Sequence, residues 1–426
     1  MKNKTLASLE IAIVFCLLFL VALPGIASAT EDEILDIYGN ANEDDIIDMR
    51  DLTFTARMIL RLEDETELAD ANYDGRVSVA DMTQIGLIIL GRESKLTLLD
   101  QIGRAVTINR PTDRIVTLPI PLASMVYAID GKGDRIVGMH PVSMKAIEEG
   151  ILGEMCPELK SASIDFVTTG FEVNVEELLK LEPDVVFQWG FKGEDLYKPM
   201  EDAGIGVICL NYGTQEDLDA WLTILGVVLR KEEKALGLIE SQHEVIQEIA
   251  DETSSIPEAE RPKVLYLPYG EQLKTTGTGT YNQFWIDTTG GINVAEELDG
   301  WKYVNMEQIC YWNPDIIYLG NFADNWPDDL LENKIPGQDW SEIEAVKNEK
   351  VYKVPLGGYR WDPPNQESHL MLKWLVEVHH PELFDYDIRE EIREFYSEFY
   401  EYEVSEEQMS QILHCEHNPG LPCCQT

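Results

Sequence analysis

One short pattern occurs twice in the chain and limits what it can fold into: VNVEELLKLEPDVV from Val173 to Val186, and VNMEQICYWNPDII from Val304 to Ile317. Each copy sets a Glu, Glu176 or Glu307, on the opening turn of a short amphipathic helix, and a Pro-Asp break then leads into strand residues. The copies align without a gap and stand too far apart to be units of a solenoid, so they predict two lobes of similar build. Two lobes imply a cleft.

The flanking pattern is α/β. RIVTL (114–118), RIVGM (135–139), DVVFQW (184–189) and GVICL (206–210) read as buried parallel strands, with helices ASMVYAI and VEELLKL between them. KVLYLPY, PDIIYLG and KVYKVPL repeat the scheme in the second half, and the segment 215–253 is helical, with Leu236, Ile239, Val245, Ile246 and Ile249 set among charges. Open parallel sheets bind ligands at the carboxyl ends of their strands. There the chain is aromatic: Trp189 and Phe191 in the first half, and Tyr269, Trp301, Phe322, Tyr359 and Trp361 in the second, with Arg360 between the last two. Any one of these rings fits core packing equally well. Tyr359-Arg360-Trp361, however, is held between a strand and Pro363-Pro364, and is expected to face the cleft as an aromatic wall with a guanidinium. Trp189 and Trp301 are expected to face each other across it. Such a surface suits a bulky, partly anionic chelate better than a bare metal ion. Of the histidines, His140 alone follows a strand closely enough to reach a ligand, and His379-His380 read as an exposed helix end.

The opening GRAVTINRPTDRIVTL, the paired motifs and the late WDPPNQESHLMLKWL make residues 100–400 resemble the class III substrate-binding proteins of ABC importers, which serve iron-siderophores, haem, cobalamin and other metal chelates. The resemblance implies two Rossmann-like lobes, 98–230 and 256–400, joined by a long helix at 231–255 that is the only stiff link between them. It implies a metal chelate as ligand, an aromatic contact at Trp301, and permease subunits whose Arg pockets receive Glu176 and Glu307. A carboxylate on a helix's first turn is pre-oriented by the helix dipole and can take a bidentate Arg bond. The plainer reading is that each Glu merely favours a helix N-terminus.

Before the lobes, DANYDGRVSVAD places Asp70, Asn72, Asp74, the Arg76 carbonyl, Ser78 and Asp81 at the ligand positions of a calcium loop, with Gly75 at its sharp turn. NANEDDIIDMRD does the same with Asn40, Asn42, Asp44, the Ile46 carbonyl, Asp48 and Asp51, although Asp45 replaces the Gly and weakens the site. The helices LTFTARMILRLE and MTQIGLIILGRE follow the two loops. Two loop-helix units with Asp at the last ligand position resemble a type I dockerin over residues 34–93, a small all-α module. The resemblance implies two calcium ions and a cohesin on a scaffold or surface protein as partner, gripped near Leu52, Thr53, Met82 and Thr83. The module, 30–97, is expected to join the lobes through a short polar linker at Glu93–Lys95.

Charge and termini bound the rest. Thirty-three Lys and Arg against 78 Asp and Glu give a net charge of −45, which excludes nucleic acid and anionic membrane faces as partners. Lys2 and Lys4, the apolar run Ile11–Leu23 and Ala27-Ser28-Ala29 read as a secretory leader (1–29), with a retained anchor as the alternative. The protein is therefore expected to be secreted, extracellular or cell-surface associated. The tail, 401–426, crowds His414, Cys415, His417, Cys423 and Cys424: a disulfide from Cys415 to Cys423 or Cys424, a small zinc site, and a disordered tail are all open. No phosphate loop, nucleophile elbow or zinc-protease helix points to catalysis. The rival to transport is a cohesin-bound structural or carbohydrate-capturing subunit.

Overall fold

The structure is a computed structural model that describes residues 37–44 and 46–425. The expected leader, the first residues of the module and Asp45 lie outside the described residues. Everything described belongs to one compact unit. Among the described residues no helix is long and apolar enough to cross a membrane.

Two four-stranded parallel sheets form the lobes. In space the first runs Ile136–Met139, Ile115–Thr117, Val185–Trp189, Val207–Leu210, and the second runs Val351–Lys353, Ile316–Leu319, Lys263–Leu267, Ile292–Asn293. Taken in chain order within each lobe, both sheets place the second strand outside the first and the third on the first strand's other side. The repeated motif is thus a repeat of topology: Val185–Trp189 and Ile316–Leu319, the strands that end its two copies, take the same inner position. Both are buried along their whole length, as strands covered by helices on two faces must be. The edge strand Ile292–Asn293 has only two residues and carries no pattern that a sequence reading could catch.

The strand order reverses between the first and third strands of each sheet. Such a switch point opens a crevice at the strands' carboxyl ends. In lobe one it falls at residues 118–121 and 189–192, and in lobe two at 268–270 and 320–322.

Helix Gln215–Leu229, started by a Thr214–Asp217 capping box, packs along the expected bridge, Glu232–Thr253. At 22 residues the bridge is about 33 Å long. Gln242, fully buried in it, accepts from Gln215 Nε2 at 3.0 Å and donates to the Asn365 carbonyl at 3.1 Å, while Gln215 Oε1 accepts from Tyr281 at 2.9 Å. This chain of amides ties lobe one, bridge and lobe two together. The bridge is not the only link, because the buried Arg360 donates to the Val142 carbonyl at 3.2 Å, with an exposed Lys145–Asp324 pair at 3.2 Å on the surface.

Of the three readings left open for the tail the structure takes the disulfide, and the expected linker is corrected. The tail is ordered: helix Glu406–Ile412 and a Cys415–Cys424 disulfide close it, and Gln408 reaches Glu154 of lobe one at 3.1 Å. Its sulfurs are used in the disulfide, Cys423 keeps its thiol, and among the described residues no three His, Cys, Asp or Glu side chains converge on a metal position. Nor is Glu93–Lys95 a linker. Glu93 is buried and its Oε1 takes Arg110 Nε and Arg230 Nη2, each at 2.8 Å, while Arg110 Nη2 also donates to the Val227 carbonyl at 2.9 Å. Lys95–Leu99 pairs with Ala105–Asn109 in an antiparallel hairpin, and Ile37 of the module bridges to Leu98. The module's helices, Met49–Ile59 and Val79–Ile89, pack on each other around Ala41, Met58, Ala69, Ala71 and Ile85.

Candidate functional site

At the lobe-one switch point Val185–Trp189 ends in a knot of rings. Trp189 lies 5.5 Å from Phe191, 5.8 Å from Tyr212 and 5.4 Å from Trp221. Trp189 is only 4% exposed and forms the support of the wall, not its surface. The surface is Phe191, 52% exposed, with the half-buried Tyr212 stacked near it at 6.3 Å. Tyr212 was missed from the sequence, although it stands just past the buried strand Val207–Leu210, where the strand-end rule points. Burial raises its hydroxyl above the ordinary tyrosine value.

In lobe two the half-buried rings are Tyr269, Phe322 and Trp301. Tyr269 and Phe322 lie 5.9 Å apart, and Trp301 opens the strand Trp301–Tyr303 that pairs with Lys274–Thr276. The loop carrying Phe322 is pinned from below by Lys353, whose Nζ donates to the carbonyls of Gly320, Ala323 and Asn325 at 2.9, 3.0 and 2.9 Å. Burial pulls the Lys353 ammonium down to about 8.

The expected wall of Tyr359, Arg360 and Trp361 is corrected: all three are buried. The chain here doubles back through an isolated bridge from Leu356 to Arg360, winding Gly357 and Gly358 around the carboxylate of Glu367. A Cβ on Gly357 would stand 2.1 Å from Glu367 Oε2, so only glycine lets the backbone come this close. Trp361 Nε1 donates to Glu367 at 2.6 Å, and the Arg360 guanidinium donates to the Asn321 carbonyl at 2.9 Å. Arg360 joins the lobes, where the sequence suggested it would meet an anion.

His140 is fully buried, stacks on Phe171 at 4.3 Å and caps helix Pro141–Glu149, with Nδ1 accepting from the Val142 amide at 3.1 Å. Burial pulls its pKa down to about 4, so it holds structure as a neutral ring. His379 and His380 are buried too, against Thr289 and Gly290, because the strand Ile292–Asn293 and its turn cover that helix end.

Glu176 and Glu307 stand exposed on the first turns of Val175–Leu179 and Met306–Trp312, whose caps match: Asn174 accepts from the Glu177 amide and Asn305 from the Gln308 amide. Neither carries an ion pair among the described residues.

The two Asp-rich loops share three hydrogen bonds and differ in others: Asn42 Oδ1 accepts from the Asp44 amide at 3.2 Å, which Asn72 Oδ1 does not do from Asp74. Asp51 accepts from the amides of Asn42 and Asp48 at 3.2 and 2.7 Å, and Asp81 from those of Asn72 and Ser78 at 3.1 and 2.7 Å. The Asp44 amide donates to Asn40 at 3.1 Å and the Asp74 amide to Asp70 at 3.0 Å. Both last-position carboxylates are fully buried, and Asn72 Oδ1 is buried without a partner. In the first loop Arg50 already pairs with Asp44 at 2.6 Å and with Asp48 at 2.9 Å. The Arg76 side chain of the second loop is 81% exposed and only 3.7 Å from Asp74, a much looser pair.

Comparison with known proteins gives a consistent picture. Residues 155–356 match the family described as periplasmic binding protein. A periplasmic solute-binding protein from Veillonella parvula is 38% identical, with a TM-score of 0.70 over 76% of this chain and 98% of its own. The molybdate-binding protein MolA of Haemophilus influenzae is 25% identical over 326 residues, covering 71% of this chain and 90% of that protein. YvrC of Bacillus subtilis, an uncharacterized ABC transporter substrate-binding lipoprotein, is 27% identical over 61% of this chain and 78% of its own length.

Proposed function

Since the chain belongs to the periplasmic binding protein family, and acts as the solute-binding protein of an ABC importer rather than as an enzyme, we propose that its solute is a metal chelate held between aromatic walls. Matched switch points carry this reading. The third strand of each sheet leads to a partly exposed ring, Phe191 on one lobe and Phe322 on the other; Tyr212 lies near the first at 6.3 Å, Tyr269, past the first strand of lobe two, lies 5.9 Å from the second, and Trp301 shares the Lys274 ammonium with Tyr269. Flat rings on both sides fit a ligand with extended faces, by stacking and by displacing water.

Glu176 and Glu307 deliver the loaded protein by pairing with Arg pockets on the two permease subunits. Their matched caps and exposure support this role, since a free carboxylate on a fixed helix turn meets a guanidinium with little ordering cost. Converting both to Lys turns attraction into repulsion. Uptake by cells carrying the double variant is expected to stop while the purified protein binds its ligand as before; uptake at the normal rate would remove the docking role.

The N-terminal module binds two calcium ions and tethers the protein to a cohesin. The buried, unpartnered Asn72 Oδ1 supports a cation in the second loop, where Asp70, Asn72, Asp74, the Arg76 carbonyl, Ser78 and Asp81 would hold it. The first loop offers Asn40, Asn42, Asp44, the Ile46 carbonyl, Asp48 and Asp51, with Arg50 competing for two of its carboxylates. Thr53 and Thr83 stand exposed at matched helix positions, with Leu52 and Met82 half-buried beside them, as the face offered to the partner.

A further inference from the structure

We infer that the cleft takes a ligand with at least two negative charges, held between Lys192 of lobe one and Lys274 of lobe two. The inference rests on the cleft being the solute site and narrows which solute fits. In a chain with 33 Lys and Arg against 78 Asp and Glu, a basic side chain has carboxylates in excess to pair with. These two pair with none among the described residues. Each lies over aromatic faces instead: Lys192 Nζ stands 4.8 Å from the Phe171 ring and 5.2 Å from Phe191, and Lys274 Nζ stands 5.1 Å from both Tyr269 and Trp301 and 5.6 Å from Tyr303.

Both positions belong to the cleft rim. Lys192 stands three residues past the strand Val185–Trp189, and Lys274 begins the short strand that pairs antiparallel with Trp301–Tyr303. They come from opposite lobes, yet Lys274 acts on Lys192: partial desolvation, and then the Lys274 charge, hold the Lys192 ammonium below its ordinary value. Aromatic faces ease the burial of a cation but do not cancel the repulsion between two. A ligand anion does both.

The neighbouring groups agree. The other cations of this region are already occupied: Lys353 by three backbone carbonyls, and Arg360 by two carbonyls and the Glu149 carboxylate at 3.7 Å. Asp362, whose charge would reach Tyr212 and Tyr269, is fully buried, accepts from Tyr266 at 2.5 Å, and is raised by burial toward its neutral form. A bare divalent cation is repelled by such a site, and a corrinoid without net charge gains nothing from it. Two ligand chemistries fit: a dianionic oxyanion, and a metal held in a polycarboxylate or similarly anionic chelate. They share two or more anionic oxygens.

Calorimetric titration of the whole purified protein tests this, with sodium molybdate and ferric citrate as the two anionic probes and cyanocobalamin and nickel chloride as the others. One of the anions is expected to bind, more weakly as salt rises. Lys192→Gln and Lys274→Gln are each expected to weaken binding tenfold or more at unchanged melting temperature, and Lys274→Arg to restore most of it. The probe that binds tells oxyanion from chelate. Binding by neither anion, or an anion affinity indifferent to both Gln variants, overturns the inference. A protein that binds only cobalamin or nickel, and still needs Glu176 and Glu307 for uptake, loses the anion and keeps the transport role.

Discussion

Glu367 explains how three bulky neighbours can all go inside. Its carboxylate accepts from the Gly358 amide at 2.9 Å, from Trp361 at 2.6 Å and from Tyr400 at 2.5 Å, so Tyr359, Arg360 and Trp361 wind around a polar centre within the core. Burial still outweighs these bonds and pushes the carboxyl up to about 7 from an ordinary 4.5. A carboxyl with a higher pKa in the folded chain than in the unfolded one binds its proton more tightly when folded. This group therefore favours the fold increasingly as pH falls from about 7 to about 4.5, and that contribution is lost as pH rises through 7. At about 1.4 kcal/mol per pKa unit the swing is on the order of 3 kcal/mol. Glu367→Gln cannot titrate, so its melting temperature, measured from pH 5 to pH 8, should lack the decline that wild type shows across that interval. Parallel curves for the two proteins would mean that Glu367 stays charged throughout. Trp361→Ala should cost about 3–5 kcal/mol in denaturant unfolding, as a core truncation does. A loss of ligand affinity at full stability would instead put that ring in the cleft.

The repeated elements were the legible part of the sequence, because they obey a period. Strands buried on both faces read as unbroken apolar runs, and paired Glu-bearing helix starts read as paired lobes. The cleft was legible only in outline. Strand-end logic pointed to Phe191, Tyr269, Trp301 and Phe322, which the structure leaves at least partly exposed, but could not tell the buried Trp189 from the half-buried Tyr212; burial is set by packing that neighbouring residues do not announce. The Tyr359–Trp361 stretch misled because its fold depends on Glu367, Tyr396 and Tyr400, which lie farther along the chain. Lys274 left no signal at all. The Asp-rich loops repeat in spacing and then in three hydrogen bonds, yet their neighbours differ. Arg50 neutralises part of the first loop, so calcium should fill the second loop first. Asp70→Ala with Asp81→Ala should abolish the tighter of two calorimetric binding events, and Arg50→Ala should strengthen the weaker one. A chelator that leaves the protein's melting unchanged would show that neither loop holds metal.

At the scale of the whole molecule, the buried pair of Glu93 and Arg110, joined at its rim by the partly exposed Arg230, fuses the module to lobe one. Removing the shared carboxylate leaves Arg110, whose side chain is 4% exposed, beside a second guanidinium with nothing between them. Breaking a buried pair in this way costs about 3–5 kcal/mol. Glu93→Ala should split one calorimetric transition into two, with calcium raising only the module's; in wild type calcium should raise the single transition of the whole. A single, calcium-responsive transition in the variant would place the coupling in the Ile37–Leu98 pairing instead. A body without a hinge has one heading rather than two. Whatever holds the module also sets the compass bearing of the cleft mouth and of both exposed glutamates, so the slack needed to swing from capture to a permease must lie on the holder's side of the joint.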